Sequence, residues 1–166
     1  MTREFVSYGP FEIPFETNHR GAKHIGKDDG RDFFAEYEDL GGARGCCLFA
    51  IRNGGGLRAA YVGKACRSFR QEVFAVDKLQ KLNTAVHTWT HGTPVVLFAV
   101  APPRASDELI TEVERFLIQS AKRVWPELLN IHHSGDPNWA IRGVTVTHVG
   151  QRSDSALAMA RMLRLD

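Results

Sequence analysis

The chain has 166 residues, 43% of them apolar and 24% charged, with a formal net charge of +2. This composition supports one globular domain with its own core and excludes a disordered, collagen-like or disulfide-dense protein. The near-neutral total hides an asymmetry, because residues 1–45 carry six Lys/Arg against nine Asp/Glu whereas residues 51–81 carry seven against two.

In chain order, Phe11-Glu12-Ile13-Pro14-Phe15-Glu16 reads as a strand that Pro14 restricts to a sheet edge. Lys27-Asp28-Asp29-Gly30 has turn chemistry, and residues 32–37 read as a short helix ended by Gly41-Gly42. Residues 1–43 are expected to be an N-terminal elaboration packed on a main domain of residues 44–166. There the apolar run Cys46–Ile51 has strand length, Asn53-Gly54-Gly55-Gly56 supplies hairpin chemistry, and Ala59–Gly63 returns as the second strand. Ser68-Phe69-Arg70-Gln71 has the capping-box form and places a helix start at Phe69. After a break near Ala75-Val76, Leu79, Leu82 and Val86 carry its apolar stripe onward.

Val95–Val100 reads as a buried strand. Ser106 caps a helix running to Val124 or Trp125, with Asp107 and Glu108 in the first turn, where the helix dipole favours negative charge. Residues 130–139 read as a loop, 144–149 as a last strand, and Ser153 as the cap of a C-terminal helix. The order predicts a mixed α/β (α+β) domain with a small, mainly antiparallel central sheet flanked by helices.

Glu114 falls at the margin of the apolar face of the helix after Ser106, between Ala121 and Ile118 in angle. A carboxylate there needs a divalent cation or a basic side chain as partner, or tilts toward water. Tyr61 and Lys64 leave the hairpin's second strand together. A lysine near a tyrosine stabilises the phenolate, so this phenol could take a proton from water. The same two residues also read as a packed strand tyrosine and a surface lysine.

Arg67 and Arg70 stand at a capped helix start, where free N–H groups and guanidinium forks bind phosphate oxygens, or they are plain surface arginines. The basic 51–81 segment suits a phosphate-bearing partner and also reads as a solvated surface. His132-His133 with Asp136, and His87 with His91, have no recognised zinc spacing, and adjacent Cys46 and Cys47 point to opposite faces of a strand. Three cysteines without an even framework fit a reducing compartment. Without a signal-peptide core or an apolar run of ~18–20 residues, a cytoplasmic protein with no membrane association is expected.

Taken together, residues 44–130 resemble the GIY-YIG nuclease domain. Gly45-Cys46-Cys47 stands at the first motif, and Tyr61-Val62-Gly63 followed by Lys64-Ala65 matches the second. Arg70 or Arg67 stands near the family's arginine, Glu114 with Leu117-Ile118 matches its metal-binding helix, and Pro126 and Asn130 its closing residues. The wider string through Gln71-Glu72-Val73-Phe74, Lys78-Leu79 and Asn83 is similar to an uncharacterised bacterial branch of that superfamily.

The resemblance implies an endonuclease that hydrolyses DNA phosphodiester bonds, with RNA a further possible substrate. Glu114 would hold one Mg²⁺ or Mn²⁺, Tyr61 aided by Lys64 would activate water, and Arg70 or Arg67 would meet the phosphate. Lys78 and Asn130 would support substrate binding. The departure is Cys47, which stands where the family has a tyrosine. That departure keeps two alternatives open: a degenerate domain that binds nucleic acid without cutting it, and a protein-interaction accessory module using the acidic N-terminal arm.

Overall fold

A computed structural model describes residues 3–130, 139–142, 144–145 and 151–165. Among these, the main sheet has five strands: β1 (Arg3–Glu12), β4 (Gly45–Asn53), β5 (Gly56–Ala65), β6 (Thr93–Val100) and β7 (Trp139–Ile141). Their spatial order is β5-β4-β6-β1-β7. The β5–β4, β4–β6 and β6–β1 pairings are antiparallel, and β7 lies parallel to β1. Six helices accompany the sheet: α1 (Lys27–Glu36), α2 (Glu38–Gly41), α3 (Phe69–Glu72), α4 (Val76–Thr88), α5 (Asp107–Val124) and α6 (Asp154–Leu163). A two-stranded ribbon, β2 (Glu16–Thr17) with β3 (Lys23–His24), completes the described elements. The mixed α/β class follows, and no described helix is long and apolar enough to cross a membrane.

Both faces of the sheet are covered. Leu48, Val62 and Leu97 pack with Val113 and Leu117 of α5 and Met159 of α6. On the other face Phe49 and Phe98 pack with Phe33, Phe69 and Leu82 from α1, α3 and α4. This explains why residues 45–51 are all buried and why Cys46–Ile51 reads as a continuous apolar run rather than an alternating one. Each fully buried Leu or Phe stabilises the fold by about 1.5–3 kcal/mol.

Gly45 opens β4 at φ +145°, and a Cβ there would stand 2.1 Å from the Ala99 carbonyl oxygen. Only glycine lets β4 approach β6 so closely at its first residue.

Local signals place the helices well. Ser68, Ser106 and Ser153 each accept a hydrogen bond from the backbone N–H three residues on, and α4 starts after a break at Ala75. Three expectations differ. Residues 3–12 form a strand inside the main sheet, because β6 and β7 flank β1, so the N-terminal region is not wholly an added arm. Lys27–Gly30 is the first turn of α1, where Asp29 caps the Gly26 N–H at 2.7 Å. Among the described residues the last strand is Trp139–Ile141, and Val144 and Thr145, the two described residues of the expected 144–149 strand, form a turn whose N–H groups bond the Ile141 carbonyl. His132, His133, Asp136 and residues 146–149 lie outside the described residues.

Candidate functional site

The outer edge of β5 leads to the candidate site. In the hairpin Phe49 faces Tyr61 and Ala50 faces Ala59, so Ala60 is an extra, bulged residue. Beyond the bulge the register runs Cys47 opposite Gly63 and Cys46 opposite Lys64. Side chains alternate across a strand. Tyr61 and Cys47 therefore face α4, and Lys64 faces α5.

On the α5 face Lys64 Nζ lies 3.2 Å from Glu114 Oε2 and donates to Thr111 Oγ1 at 3.0 Å. Thr111 sits three residues before Glu114 on the same helix, so the two are neighbours on its surface. Its own hydroxyl donates back to the Asp107 carbonyl at 2.8 Å. The carboxylate at the margin of the apolar face thus has a basic side chain as partner. Glu114 is mostly buried, with its side chain 17% exposed.

On the α4 face Gly63 makes room for three groups. A Cβ at this position would stand 3.0 Å from Tyr61 Cε1, 3.3 Å from Lys78 Cε and 3.4 Å from Cys47 Sγ. Lys78 Nζ donates to the Lys64 carbonyl at 2.6 Å, so α4 holds the backbone of the residue whose side chain α5 holds. Tyr61 stacks on Phe49 with ring centres 6.1 Å apart.

Burial pushes the Tyr61 phenol well above its ordinary pKa, and the negative charges of Cys47 thiolate, Glu114 and Asp77 would add to that. The expected lowering by Lys64 is overturned. A spacing of three along a strand puts Lys64 on the opposite face, and no described partner offsets the desolvation. At neutral pH the Tyr61 phenol therefore keeps its proton, and its hydroxyl can donate a hydrogen bond. Cys47 is fully buried, and burial raises its thiol to about 11 despite Lys78 and the Gly63 backbone acting the other way. Cys46 is likewise raised by burial, and its Sγ donates to the Ile110 carbonyl at 3.5 Å.

Asn130 closes the edge. Its Oδ1 accepts from Val62 N–H at 2.7 Å, and its Nδ2 donates to the Val62 carbonyl at 2.6 Å. Leu129 N–H bonds the Ala60 carbonyl at 3.0 Å, and Lys81 Nζ reaches the Leu129 carbonyl at 3.3 Å. Residues 127–130 thus run beside β5 as a strap that satisfies backbone groups an edge strand leaves open.

The two arginines lie elsewhere. Arg67 is exposed and pairs with Glu72, whose carboxylate also accepts the Arg67 N–H at 3.0 Å. Burial would raise the Glu72 pKa, but these hydrogen bonds hold it below the ordinary value. Arg70 folds over α2, where a Cβ on Gly41 would meet its Nε at 2.8 Å. At one end of β5 the structure sets Lys64 and Glu114 on the α5 face, Cys47, Tyr61 and Lys78 on the α4 face and Asn130 on the edge, and it leaves Arg67 and Arg70 outside. Sequence reasoning passed over Thr111, although its place three residues before Glu114 was visible.

Among the described residues no group of three or more His, Cys, Asp or Glu side chains comes together. Glu114 thus offers one carboxylate, with a hydroxyl nearby. That donor set fits Mg²⁺ or Mn²⁺, hard ions that keep several waters and take further oxygens from a phosphate, and does not fit a closed zinc site. No protein-family model, curated protein or solved structure matches the chain.

Proposed function

We propose that this chain is a divalent-metal-dependent endonuclease that hydrolyses DNA phosphodiester bonds in the manner of GIY-YIG enzymes. One observation carries the reading: a helix-borne carboxylate, Glu114, meets Lys64 at the end of the strand that carries Tyr61, with Asn130 bracing that strand. Glu114 would hold the ion, which supplies positive charge against the scissile phosphate.

The remaining work falls to the protein's own groups. Tyr61 keeps its proton and, from the α4 side of the β5 edge, would donate a hydrogen bond to a water that reaches the phosphate around that edge. Water oxygen forms the new bond to phosphorus, one P–O ester bond breaks, and the water's proton passes to solvent or to the leaving oxygen. With the ion held by Glu114, Lys64 would be free to meet the charge that builds on the phosphate. Lys78, rather than either arginine, is the second cation at this end of β5.

A second reading is a domain of the same kind that binds nucleic acid without cutting it. The buried, protonated Cys47 at the first-motif position favours it. Supercoiled plasmid incubated in Mg²⁺ and in Mn²⁺ separates the two. Nicking by wild type, lost with EDTA and reduced at least ~100-fold in Glu114→Ala, supports the nuclease. DNA binding with no nicking in either metal supports the second reading.

A further inference from the structure

At the turn end of the β4–β5 hairpin, far from Glu114, Ile51, Leu57, Arg58, Trp89, His91 and Trp125 are among the walls of a cleft of about 410 Å³. That volume is within the range of small-ligand sites. The Arg58 guanidinium lies 4.6 Å from the Trp89 ring centre and 5.3 Å from that of Trp125. One terminal nitrogen pairs with Glu127 of the strap. Its Nε is buried and has no hydrogen-bond partner. A buried charged donor without an acceptor is costly, and a shift of the Arg58 side chain that brings this N–H to an oxygen held in the cleft would remove the cost. Two half-buried indoles beside that donor favour a flat ring carrying a carbonyl oxygen.

Two lysines line the α4 side of β5 between this cleft and Lys64. Helix α4 runs alongside β5, with Lys78 on the Lys64 carbonyl, Lys81 on the strap beside Ala60, and Trp89 on Arg58. Each lysine spends one N–H on a carbonyl and keeps others for phosphate oxygens. From Arg58 to Lys64 the strand spans ~20 Å, a few nucleotides of extended single strand.

We propose that this cleft takes an unpaired nucleobase from single-stranded nucleic acid whose backbone follows Lys81 and Lys78 along the α4 side of β5 to the strand's Lys64 end. The inference rests on the nuclease reading for its direction but has its own test.

Wild type is titrated with (dT)10 in EDTA at low salt, with tryptophan emission followed, beside a blunt duplex of equal length. The expected result is quenching on (dT)10 binding, with the duplex binding more weakly. Trp89→Ala should weaken (dT)10 binding about tenfold while Trp89→Phe keeps it near wild type. Arg58→Lys, which keeps the charge and loses the planar fork, should weaken it as well and serves if Trp89→Ala does not fold. Failure of wild type to bind (dT)10, equal binding of duplex, or undiminished binding by folded Trp89→Ala or by Arg58→Lys would overturn the proposal. Glu114→Ala separates the two readings. If it binds (dT)10 normally while wild type fails to nick plasmid, the nuclease falls and the cleft stands. If wild type nicks and Trp89→Ala binds normally, the reverse holds.

Discussion

Lys64 and Glu114 meet across the junction of β5 and α5, Nζ to Oε2 at 3.2 Å, and Thr111 steadies the ammonium from one turn away. The pair joins the edge of the sheet to its longest helix. Lys64 is more than a third exposed and Glu114 is not, so the carboxylate depends more on the contact than the ammonium does.

That asymmetry gives a measurable order. Lys64→Met leaves a mostly buried carboxylate without its cation and should cost about 1–2 kcal/mol in urea unfolding. Glu114→Gln leaves an ammonium that solvent can reach and should cost less. The double-mutant cycle should return a coupling of about 0.5–1 kcal/mol, and a coupling near zero would remove the pair as a structural tie.

Asn130 is expected to be a larger stabiliser than its loop position suggests. Asn130→Ala strips both hydrogen bonds from Val62 at a buried point of the strand edge. The loss should be about 2–3 kcal/mol, read as a fall in the urea midpoint with an unchanged slope. Asn130→Asp keeps the acceptor for Val62 N–H and sets a carboxylate against the Val62 carbonyl, so it should rescue little.

Much of this fold was visible in local sequence. Serine caps, the Asn53–Gly56 turn and the apolar run of β4 act over a few residues, and each places its element. The pairing of Arg3–Phe5 with Trp139–Ile141 joins segments over 130 residues apart, and neither carries a marker for the other. The site divides in the same way. Glu114 with Lys64 could be expected from helix angle and strand position. The separation of Tyr61 and Lys64 onto opposite faces was legible too, since three residues is an odd step on a strand. The position of Arg70 was not legible, because its neighbour Gly41 belongs to a helix 29 residues away in sequence.

Four of the seven cations between residues 51 and 81 turn out to be ion-paired: Arg52 with Glu12, Arg58 with Glu127, Lys64 with Glu114 and Arg67 with Glu72. The basic segment is therefore largely neutralised by acidic residues, three of them from outside it. If Lys78 and Lys81 carry the phosphate contacts, log K for single-stranded DNA should fall against log salt with a slope of about −1.4. A steep slope near −5 would mean that the ion pairs open on binding. A flat line would exclude phosphate contact.

Alkali should weaken the fold through the buried thiol. Cys47 has its pKa raised from 9.0 to about 11 in the folded protein. Below pH 9 both states keep the proton and the contribution is complete. Between pH 9 and 11 the unfolded chain loses its proton first, so stability falls by up to about 2–3 kcal/mol. Cys46 and Tyr61 are shifted in the same direction and add to the slope. Urea unfolding at pH 8 and pH 10.5 should show a smaller loss for Cys47→Ala than for wild type. An equal loss would place the titrating group elsewhere.

On the proposed nuclease reading, placing at position 47 the tyrosine of the GIY-YIG motif that the chain resembles should not raise activity in a simple way. Cys47 is fully buried, and its sulfur shares the space over Gly63 with the Tyr61 ring and the Lys78 chain. A phenol placed there must move one of them. Cys47→Tyr should therefore destabilise the fold by about 1–3 kcal/mol and, by shifting Tyr61 or Lys78, lower nicking. Cys47→Ala, which leaves those neighbours in place, should nick plasmid at the wild-type rate, because a thiol held protonated has no part in moving the water's proton. A loss of nicking in Cys47→Ala with the fold intact would make the thiol a participant. A gain in Cys47→Tyr would show that the space over Gly63 opens to accept a second phenol.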